Sequence, residues 1–289
     1  MFGESKFEVL KKIPEKYIPK TILISLPTTT DSVVEKLSRH GIKLPVIFKP
    51  DLGERGYMVQ RIQSAEDIHD YIKMTNCDFL VQELIDLPLE FGVFYTRFPN
   101  EPRGKVTSVV MKEMLTVTGD GLSSLEDLIL AKDRAKLQWK TLKETYRDRL
   151  KEVVVKGMNI ELVSIGNHCL GTTFLDGSHL INERLSECFD RISQEIDGFY
   201  FGRYDLRCET LQDLYEGRIK VMELNGCGAE PAHIYQPGYP IIKALGVLLN
   251  HWRTIFLIAR ENHKRGIPYC SFKDGVFYFR AFRAATRQR

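Results

Sequence analysis

Short runs of β-branched and aromatic residues, separated by Gly and Pro, fill much of the first hundred residues. Such runs favour short β-strands joined by turns. These runs predict strands at 46–49, 57–61, 79–84 and 92–97. Before the third strand, Ser64 can cap a helix over 64–73, in which Ile68 and Tyr71 share an apolar stripe. The order strand, strand, helix, strand, strand predicts a small sheet with a helix on one face.

The chain beyond residue 104 predicts a second set of elements. Ser123 and Glu126 form a capping-box signature, and no Gly or Pro interrupts the sequence from there to about residue 150, so a single long helix is predicted. A shorter helix is predicted at 183–196, and strands are predicted at 106–111, 161–164, 169–174, 198–207 and 220–224. The pattern predicts two α+β lobes, residues 1–100 and 101–270, followed by a basic tail at 271–289, with the cleft between the lobes as the expected ligand site.

A last helix is predicted from residue 240 to about 262, because apolar residues recur there at every third or fourth position. The stripe consists of Ile241, Leu245, Leu248, Trp252, Ile255 and Ala259. Lys243, Asn250, His251 and Arg253 interrupt the segment. It is therefore predicted to be a buried core helix, and no membrane span is expected.

Composition excludes several classes of protein. With 43% hydrophobic and 27% charged residues, the 289-residue chain is neither disordered nor fibrous. Its formal net charge of +3 does not require nucleic acid or an anionic membrane as a partner. The six cysteines are scattered without a C-x-x-C pair, so reduced thiols in a cytoplasmic protein are expected, and a zinc site or a disulfide framework is not.

Two acids and one amide in the predicted strands at 198–207 and 220–224 form a candidate metal site. Glu223 and Asn225 are two positions apart, so both point to one face of a strand. Asp205 joins them if the two strands pair. Two carboxylates and an amide oxygen suit Mg²⁺, which takes oxygen ligands and completes its shell with phosphate and water. Surface acids on an ordinary antiparallel strand remain an alternative explanation at this point.

A lysine at the start of a glycine-containing loop forms a candidate phosphate site. The predicted strand at 46–49 brings Lys49 to a loop with Gly53 and Gly56, where backbone N–H groups could approach phosphate closely. The spacing is not that of a Walker A loop, and no helix follows directly. An ordinary hairpin turn with a surface lysine is the alternative. The apolar strand ending at Glu83, with Glu90 beyond it, could hold adenine and ribose.

In this order, the motifs resemble those of the ATP-grasp superfamily. The matching segments are 45–50 with its glycine loop, 81–90, Gly-Arg-Tyr-Asp at 202–205 and Glu-Leu-Asn-Gly at 223–226, and the resemblance extends from about residue 5 to about residue 252. It is similar to the D-alanine–D-alanine ligase-like branch, in which the metal-binding Asp follows an Arg by two residues. The Gly-Asp-Gly segment within 117–129 resembles that of cyanophycin synthetase-type members.

The resemblance implies an α+β ATP-grasp fold, in which two lobes hold ATP between antiparallel sheets, and it implies a role for each motif. Lys49 and an earlier lysine, Lys6 or alternatively Lys20, would bind phosphates. The loop formed by Gly53, Glu54, Arg55 and Gly56 would close over the triphosphate. The nucleoside would contact Gln82, Glu83, Leu84, Ile85 and Glu90, with Glu83 and the main chain that follows it at adenine and Glu90 at ribose.

The same resemblance implies the metal and substrate groups. Asp205, Glu223 and Asn225 would hold two Mg²⁺ ions, with Mn²⁺ as the alternative, and Arg203 would stabilise the transferred phosphoryl group. The substrate-side residues would be Asn167, His168, Gly228, Glu230 and His233. The segment at 227–233 lacks the Ser-Pro-Gly-Met pattern of D-alanine–D-alanine ligases, so a different acceptor is expected.

The implied activity is an ATP-dependent, Mg-dependent ligation of a small-molecule carboxylate to an amine, such as an amino acid or peptide, through an acyl phosphate. A phosphotransferase and a non-catalytic ATP-binding protein are the alternatives. The N-terminal lobe that precedes the ATP-grasp lobes in relatives is not recognised in this sequence. Either that lobe is absent, it has been removed at the start of the sequence, or a partner, such as a second copy in a homodimer, supplies it. No nucleic-acid partner is expected.

Overall fold

The computed structural model describes residues 4–53, 56–163, 166 and 168–286. Its strands are β1 Thr21–Ile24, β2 Val46–Pro50, β3 Gln60–Ile62, β4 Phe79–Glu83, β5 Leu89–Thr96, β6 Lys105–Glu113, β7 Leu115–Thr118, β8 Asn159–Val163, β9 Thr173–Asp176, β10 Phe201–Cys208 and β11 Lys220–Asn225. Its α-helices are α1 Lys6–Leu10, α2 Thr30–Arg39, α3 Ala65–Met74, α4 Leu125–Ala131, α5 Asp133–Lys136, α6 Trp139–Thr145, α7 Glu183–Gln194, α8 Leu211–Glu216, α9 Ile241–Lys264 and α10 Phe272–Thr286.

The chain divides into two compact units. One contains Met1–Met111 and Asp176–Arg289, and the other is Lys112–Leu175. The predicted lobe boundaries at residues 100 and 270 do not coincide with these units and stay a prediction. The mixed α+β class with antiparallel sheets is the one that the sequence predicts.

The first sheet has the strand order β1-β4-β2-β3 and is antiparallel where β4 meets β1 and β2 and where β2 meets β3. Helix α3 begins at the predicted cap Ser64, whose side chain forms a capping box with Asp67. Its Tyr71 ring contacts Phe48 of β2 and Phe79 of β4, with ring centroids 5.1–5.2 Å apart. These interdigitated rings close the core of this sheet.

The second sheet has the order β11-β10-β5-β6-β9. The prediction that the strand at 92–97 belongs to the first sheet is wrong, because β5 pairs with β10 along its whole length. The fourth strand of the first sheet is instead β1, at the edge beside β4, where no strand was predicted. Strand period alone does not specify a partner, since pairing depends on residues that are distant in sequence.

The unit Lys112–Leu175 contains the antiparallel pair β7 and β8 and the helices α4, α5 and α6. The prediction of one helix to about residue 150 is wrong. The chain leaves the helical conformation at Lys132, whose φ and ψ are −96° and 113°. The cap is Ser124 with Asp127, one position beyond the predicted pair, because the Ser123 hydroxyl donates to Asp120 instead.

Helix α9 has the predicted bounds to within two residues, but the prediction that its apolar stripe is buried is wrong. Ile241, Leu245 and Trp252 are 75%, 55% and 53% exposed. Only His251 and Ile258 of this helix are buried. By length and composition alone, α9 is the one described helix that could cross a membrane, and one such helix is weak evidence for a span.

Candidate functional site

The strand pair β10–β11 brings four of the predicted residues onto one face of the second sheet. In the antiparallel register, Asp205 lies opposite Glu223 and Arg203 lies opposite Asn225. Directly opposed residues share a face, as do residues two apart on one strand. The sequence predicted that Asp205 would join Glu223 and Asn225 if these strands paired, and they do pair.

A β-bulge lies next to the Asp205–Glu223 pair, and the main-chain carbonyl at the bulge accepts a hydrogen bond from a lysine. The register shifts between Asp205 and Leu206, so that Met222 has no Cα partner on β10. The Met222 carbonyl accepts a hydrogen bond of 3.0 Å from Lys49 Nζ. Lys49 Nζ also donates to Gln82 Oε1 over 3.0 Å, which joins β2 and β4 of the first sheet to β11 of the second.

The Lys49 ammonium is buried close to charges of both signs. Its residue is only 7% exposed. The pKa of Lys49 is lowered from 10.5 to about 8, mainly by burial and also by the nearby Lys6, while Glu223 and Asp205 act in the opposite direction. The lysine is therefore mostly charged at neutral pH. A phosphate group bound beside it would raise its pKa, because an anion stabilises the ammonium form.

The second lysine of the site is Lys6, at the start of α1. Its Nζ lies 3.6 Å from Glu223 Oε1 and donates to the Gly53 carbonyl. Asp51 fixes this segment, because Asp51 Oδ1 accepts from Ser5 Oγ and from the Phe7 N–H, each over 2.9 Å. The alternative, Lys20, is exposed, and its Nζ donates to the Gly41 carbonyl over 3.2 Å.

The Asp205 carboxylate is the centre of the polar contacts. Arg203 Nη2 donates to Asp205 Oδ2 over 3.0 Å, and Asn225 Nδ2 donates to the same oxygen over 2.8 Å. Burial disfavours the charged guanidinium, yet Asp205, Glu223 and Glu230 outweigh it and raise the pKa of Arg203. Among the described residues, Arg203 Nε is buried without a hydrogen-bond partner, so this side chain has an unused donor.

A glycine on the neighbouring strand makes room for this pair. Gly92 of β5 lies opposite Asp205. A Cβ atom at Gly92 would lie 2.6 Å from Val110 Cγ1 and 3.1 Å from Arg203 Cδ. Any side chain here would displace the arginine or the core, so we identify Gly92 as part of the site that sequence reasoning missed. The dipeptide Phe91-Gly92 within an apolar strand was the available signal.

The predicted nucleoside residues lie at the ends of β4 and β5. Glu83 Oε2 accepts from the Lys20 N–H over 3.1 Å. Glu90 is buried and pairs with Arg207, whose Nε lies 2.8 Å from Glu90 Oε2 and whose Nη1 donates to the Ile85 carbonyl over 3.0 Å. Arg207 was not predicted, although its two-residue spacing from Asp205 places it on the same strand face. Leu84 and Ile85 are half-buried.

The predicted substrate-side residues fall in different places. His233 is buried, and its Nδ1 shares a hydrogen bond of 2.7 Å with Ser108 Oγ. Desolvation lowers the pKa of His233, although Asp176 acts against this shift. The Glu230 carbonyl accepts from Arg203 Nη1 over 3.1 Å, while Gly228 is exposed. Nothing in the sequence indicated that Ser108 would be the hydrogen-bond partner of His233.

The remaining predicted residues lie elsewhere. His168 is exposed in the unit Lys112–Leu175, where its ring packs edge-on against Phe174 with centroids 5.2 Å apart. Gly56 has a φ of +74°, which favours glycine. Glu54, Arg55 and Asn167 lie outside the described residues.

The donor set at β10–β11 fits Mg²⁺ better than a metal bound by protein alone. No group of three or more His, Cys, Asp and Glu side chains within the described ranges is placed to hold a metal ion. Mg²⁺ is usually bound by one or two carboxylates, while substrate phosphates and water complete its octahedral shell. Asp205 and Glu223 supply the carboxylates, and the Asn225 amide oxygen is a third donor on the same face.

Comparisons with known proteins give matches only among solved structures. No family model and no curated protein matches the sequence. The D-alanine–D-alanine ligase from Coxiella burnetii is 12% identical, with a TM-score of 0.48, over 91% of this chain and 60% of that one. The VanG D-Ala:D-Ser ligase from Enterococcus faecalis is 12% identical, with a TM-score of 0.47, over 87% and 62%.

A bifunctional glutathione synthetase from Pasteurella multocida is 16% identical, with a TM-score of 0.37, over 80% of this chain and 32% of that one. The chain thus spans about a third to two thirds of the matched chains. Their names include D-alanine–D-alanine ligases. The function is inferred below from the site's own residues.

Proposed function

We propose that this chain binds Mg·ATP at the β10–β11 face and uses it to join a small-molecule carboxylate to an amine. The carboxylate attacks the γ-phosphorus, ADP leaves, and an acyl phosphate forms; the amine then attacks the acyl carbon and phosphate leaves. The observation that carries the proposal is the convergence of two acids with Arg203, Lys49 and Lys6 in one unit of the structure. We propose a cytoplasmic location, where ATP is available.

Each of these side chains has a chemical part in this reaction. Lys49, with a pKa near 8, can bind phosphate oxygens as an ammonium ion without the full hydration cost of an exposed lysine. Arg203 has a raised pKa and an unused Nε donor. It therefore stays charged and can donate a hydrogen bond to the phosphoryl oxygens as negative charge develops on them. Asp205, Glu223 and Asn225 would hold Mg²⁺, which neutralises phosphate charge when bound.

The present partners of these cations support this assignment. Arg203 is paired with Asp205, and Lys6 with Glu223, so each cation sits beside an acid that would bind the metal. Once those carboxylates are occupied, the two cations can exchange a carboxylate partner for a phosphate oxygen. Positive groups are thus held ready near the reacting oxygens, which reduces the reorganisation needed during the reaction.

Hydroxylamine trapping tests this function directly. An acyl phosphate reacts with hydroxylamine to give a hydroxamate, which is detected by its ferric complex. We expect the chain, Mg·ATP and a pool of amino acids and short peptides to yield hydroxamate and ADP. The variant Glu223→Gln should lose both, whereas Glu209→Gln, which removes the same charge at an exposed position after β10, should keep both.

The alternatives give different results in the same assay. A phosphotransferase would release ADP with a stable phosphorylated product and no hydroxamate. A non-catalytic ATP-binding protein would gain about 2.7 kcal/mol in the free energy of unfolding at a hundredfold excess of ATP over Kd, and its melting temperature would rise without ADP release. No stabilisation by ATP with Mg²⁺ would contradict the nucleotide site itself.

A further inference from the structure

The C-terminal helices α9 and α10 combine exposed apolar side chains with a strong excess of positive charge. On α9, Ile242, Leu249 and Phe256 are 81%, 72% and 62% exposed. Residues seven apart lie within about 20° of each other around a helix, so these three form one apolar line about 21 Å long. Leu245 and Trp252, 55% and 53% exposed, lie beside this line.

The opposite face of α9 is held against the second sheet. His251 and Ile258 are buried, and the His251 ring lies 4.9 Å from Phe201 and 5.2 Å from Phe94 between centroids. Near the end of the helix, Glu261 Oε2 accepts from Asn100 Nδ2 over 2.9 Å. At 100° per residue, His251 is about 160–180° from Leu249 and Ile242. The anchored face thus directs the apolar line away from the body of this unit.

Charge is distributed very unevenly along the chain. Residues 240–289 contain ten Lys and Arg but only two acids, Glu261 and Asp274, whereas residues 1–239 contain 31 Lys and Arg against 36 acids. The net charge of +3 therefore conceals a basic C-terminal segment and an acidic remainder. Arg253 and Arg260 of α9 are exposed, and each follows a residue of the apolar line, Leu249 or Phe256, by four positions, which places it about 40° from that residue around the helix.

Helix α10 also combines exposed aromatic side chains with basic ones. Phe272, Phe277 and Tyr278 are 87%, 68% and 50% exposed, and the nearby Lys273 and Arg280 are exposed as well. Exposed aromatic rings beside lysine and arginine are typical of segments that lie at the interface of a bilayer, where the rings enter the headgroup region and the cations meet anionic lipid.

We propose that α9 and α10 form a docking surface for an anionic lipid bilayer. A bilayer would cover the line of Ile242, Leu249 and Phe256 and would compensate the excess of positive charge at the same time. A second copy of this chain would cover the apolar line but would bring two strongly basic segments together, which opposes association. The surface is separate from the β10–β11 site, so this proposal does not depend on the function proposed above.

Vesicle co-sedimentation of the full chain tests the proposal. We expect binding to phosphatidylcholine vesicles that contain about 30% phosphatidylglycerol at about 50 mM NaCl, and little binding to pure phosphatidylcholine or at about 500 mM NaCl, because salt screens the attraction to anionic lipid. In Trp139→Phe, Trp252 is the only tryptophan, and its emission should shift to the blue on addition of the anionic vesicles.

Paired variants separate the apolar and the charged contributions. Leu249→Ser with Phe256→Ser, and Arg253→Gln with Arg260→Gln, should each weaken vesicle binding by at least about tenfold. Two matched controls in the other unit, Leu122→Ser with Leu137→Ser and Lys140→Gln with Lys143→Gln, alter exposed residues of the same kinds and should change binding less than about twofold. All of these positions are exposed, so folded variants are expected.

Three results would overturn the proposal. The first is no sedimentation of the unmodified chain with anionic vesicles at low salt. The second is equal binding by the unmodified chain and the Leu249→Ser, Phe256→Ser variant. The third is a dimer in light scattering that this variant abolishes, which would assign the surface to a second copy of the chain.

Discussion

The β10–β11 cluster buries charged groups, which are usually exposed, whereas α9 exposes apolar groups, which are usually buried. Lys49 and Asp205 are 7% and 5% exposed, while Ile242 is 81% exposed. The buried charges have partners close by, among them Arg203 Nη2 at 3.0 Å from Asp205. The apolar line of α9 has its anchoring contacts on the opposite face.

The difference indicates two kinds of ligand. A cluster that keeps charges at low exposure favours a small, highly charged molecule, since electrostatic interactions strengthen where water is excluded. An apolar surface flanked by cations favours an extended partner with anionic groups and an apolar interior. Both regions lie in the same compact unit, so one chain could act on a small substrate while held at a lipid surface.

The largest expected effect concerns the buried charges. Asp205→Asn keeps the size of the side chain but removes a metal ligand and the partner of Arg203. We expect phosphate release to fall by about a hundredfold to a thousandfold, as when one group that stabilises transition-state charge is lost. Measurement of kcat for this variant and for the exposed control Glu209→Gln checks it. Activity close to that of the unmodified chain would exclude Asp205 from the site.

A stability measurement compares a true core with α9. Phe48→Ala removes a fully buried ring from the first sheet and should lower the free energy of unfolding by about 3–5 kcal/mol. Leu249→Ser, on the exposed line, should change it by less than about 0.5 kcal/mol. Urea denaturation of both variants provides the comparison. A loss of more than about 2 kcal/mol in Leu249→Ser would show that α9 is packed on this face as well.

The smallest effect concerns the pH dependence of Lys49. Its folded-state pKa of about 8 lies below the ordinary value of 10.5, so the unfolded chain holds this proton more strongly. The free energy of unfolding should therefore gain a contribution as pH rises from about 8 to 10.5, and ATP affinity should fall over the same range as the ammonium is lost.

The variant Lys49→Met isolates this contribution, because it keeps the length of the side chain without a titrating group. ATP affinity measured from about pH 7 to pH 10 should be weaker in the variant and nearly independent of pH. A slope identical to that of the unmodified chain would assign the titration to another group.

Local sequence signals predicted local structure well where the contacts are short. Ser64 caps α3 as expected, because the hydroxyl needs only the N–H three residues later. Strands β2, β4, β10 and β11 lie within a few residues of their predicted positions, since β-branched and aromatic runs bounded by Gly and Pro suit extended backbone. The helix predicted from 123 to about 150 failed because the absence of Gly and Pro does not guarantee continuity.

The sequence alone determined which residues could meet on one strand face, since the period of two fixes Arg203 with Asp205 and Glu223 with Asn225. Tertiary structure decided the rest. The bulge that releases the Met222 carbonyl to Lys49 depends on the register of two strands, and the covered face of α9 depends on Phe94 and Phe201. A helical period shows that one face is apolar, but burial requires a complementary surface, and that surface comes from residues more than a hundred positions away in the case of Phe94.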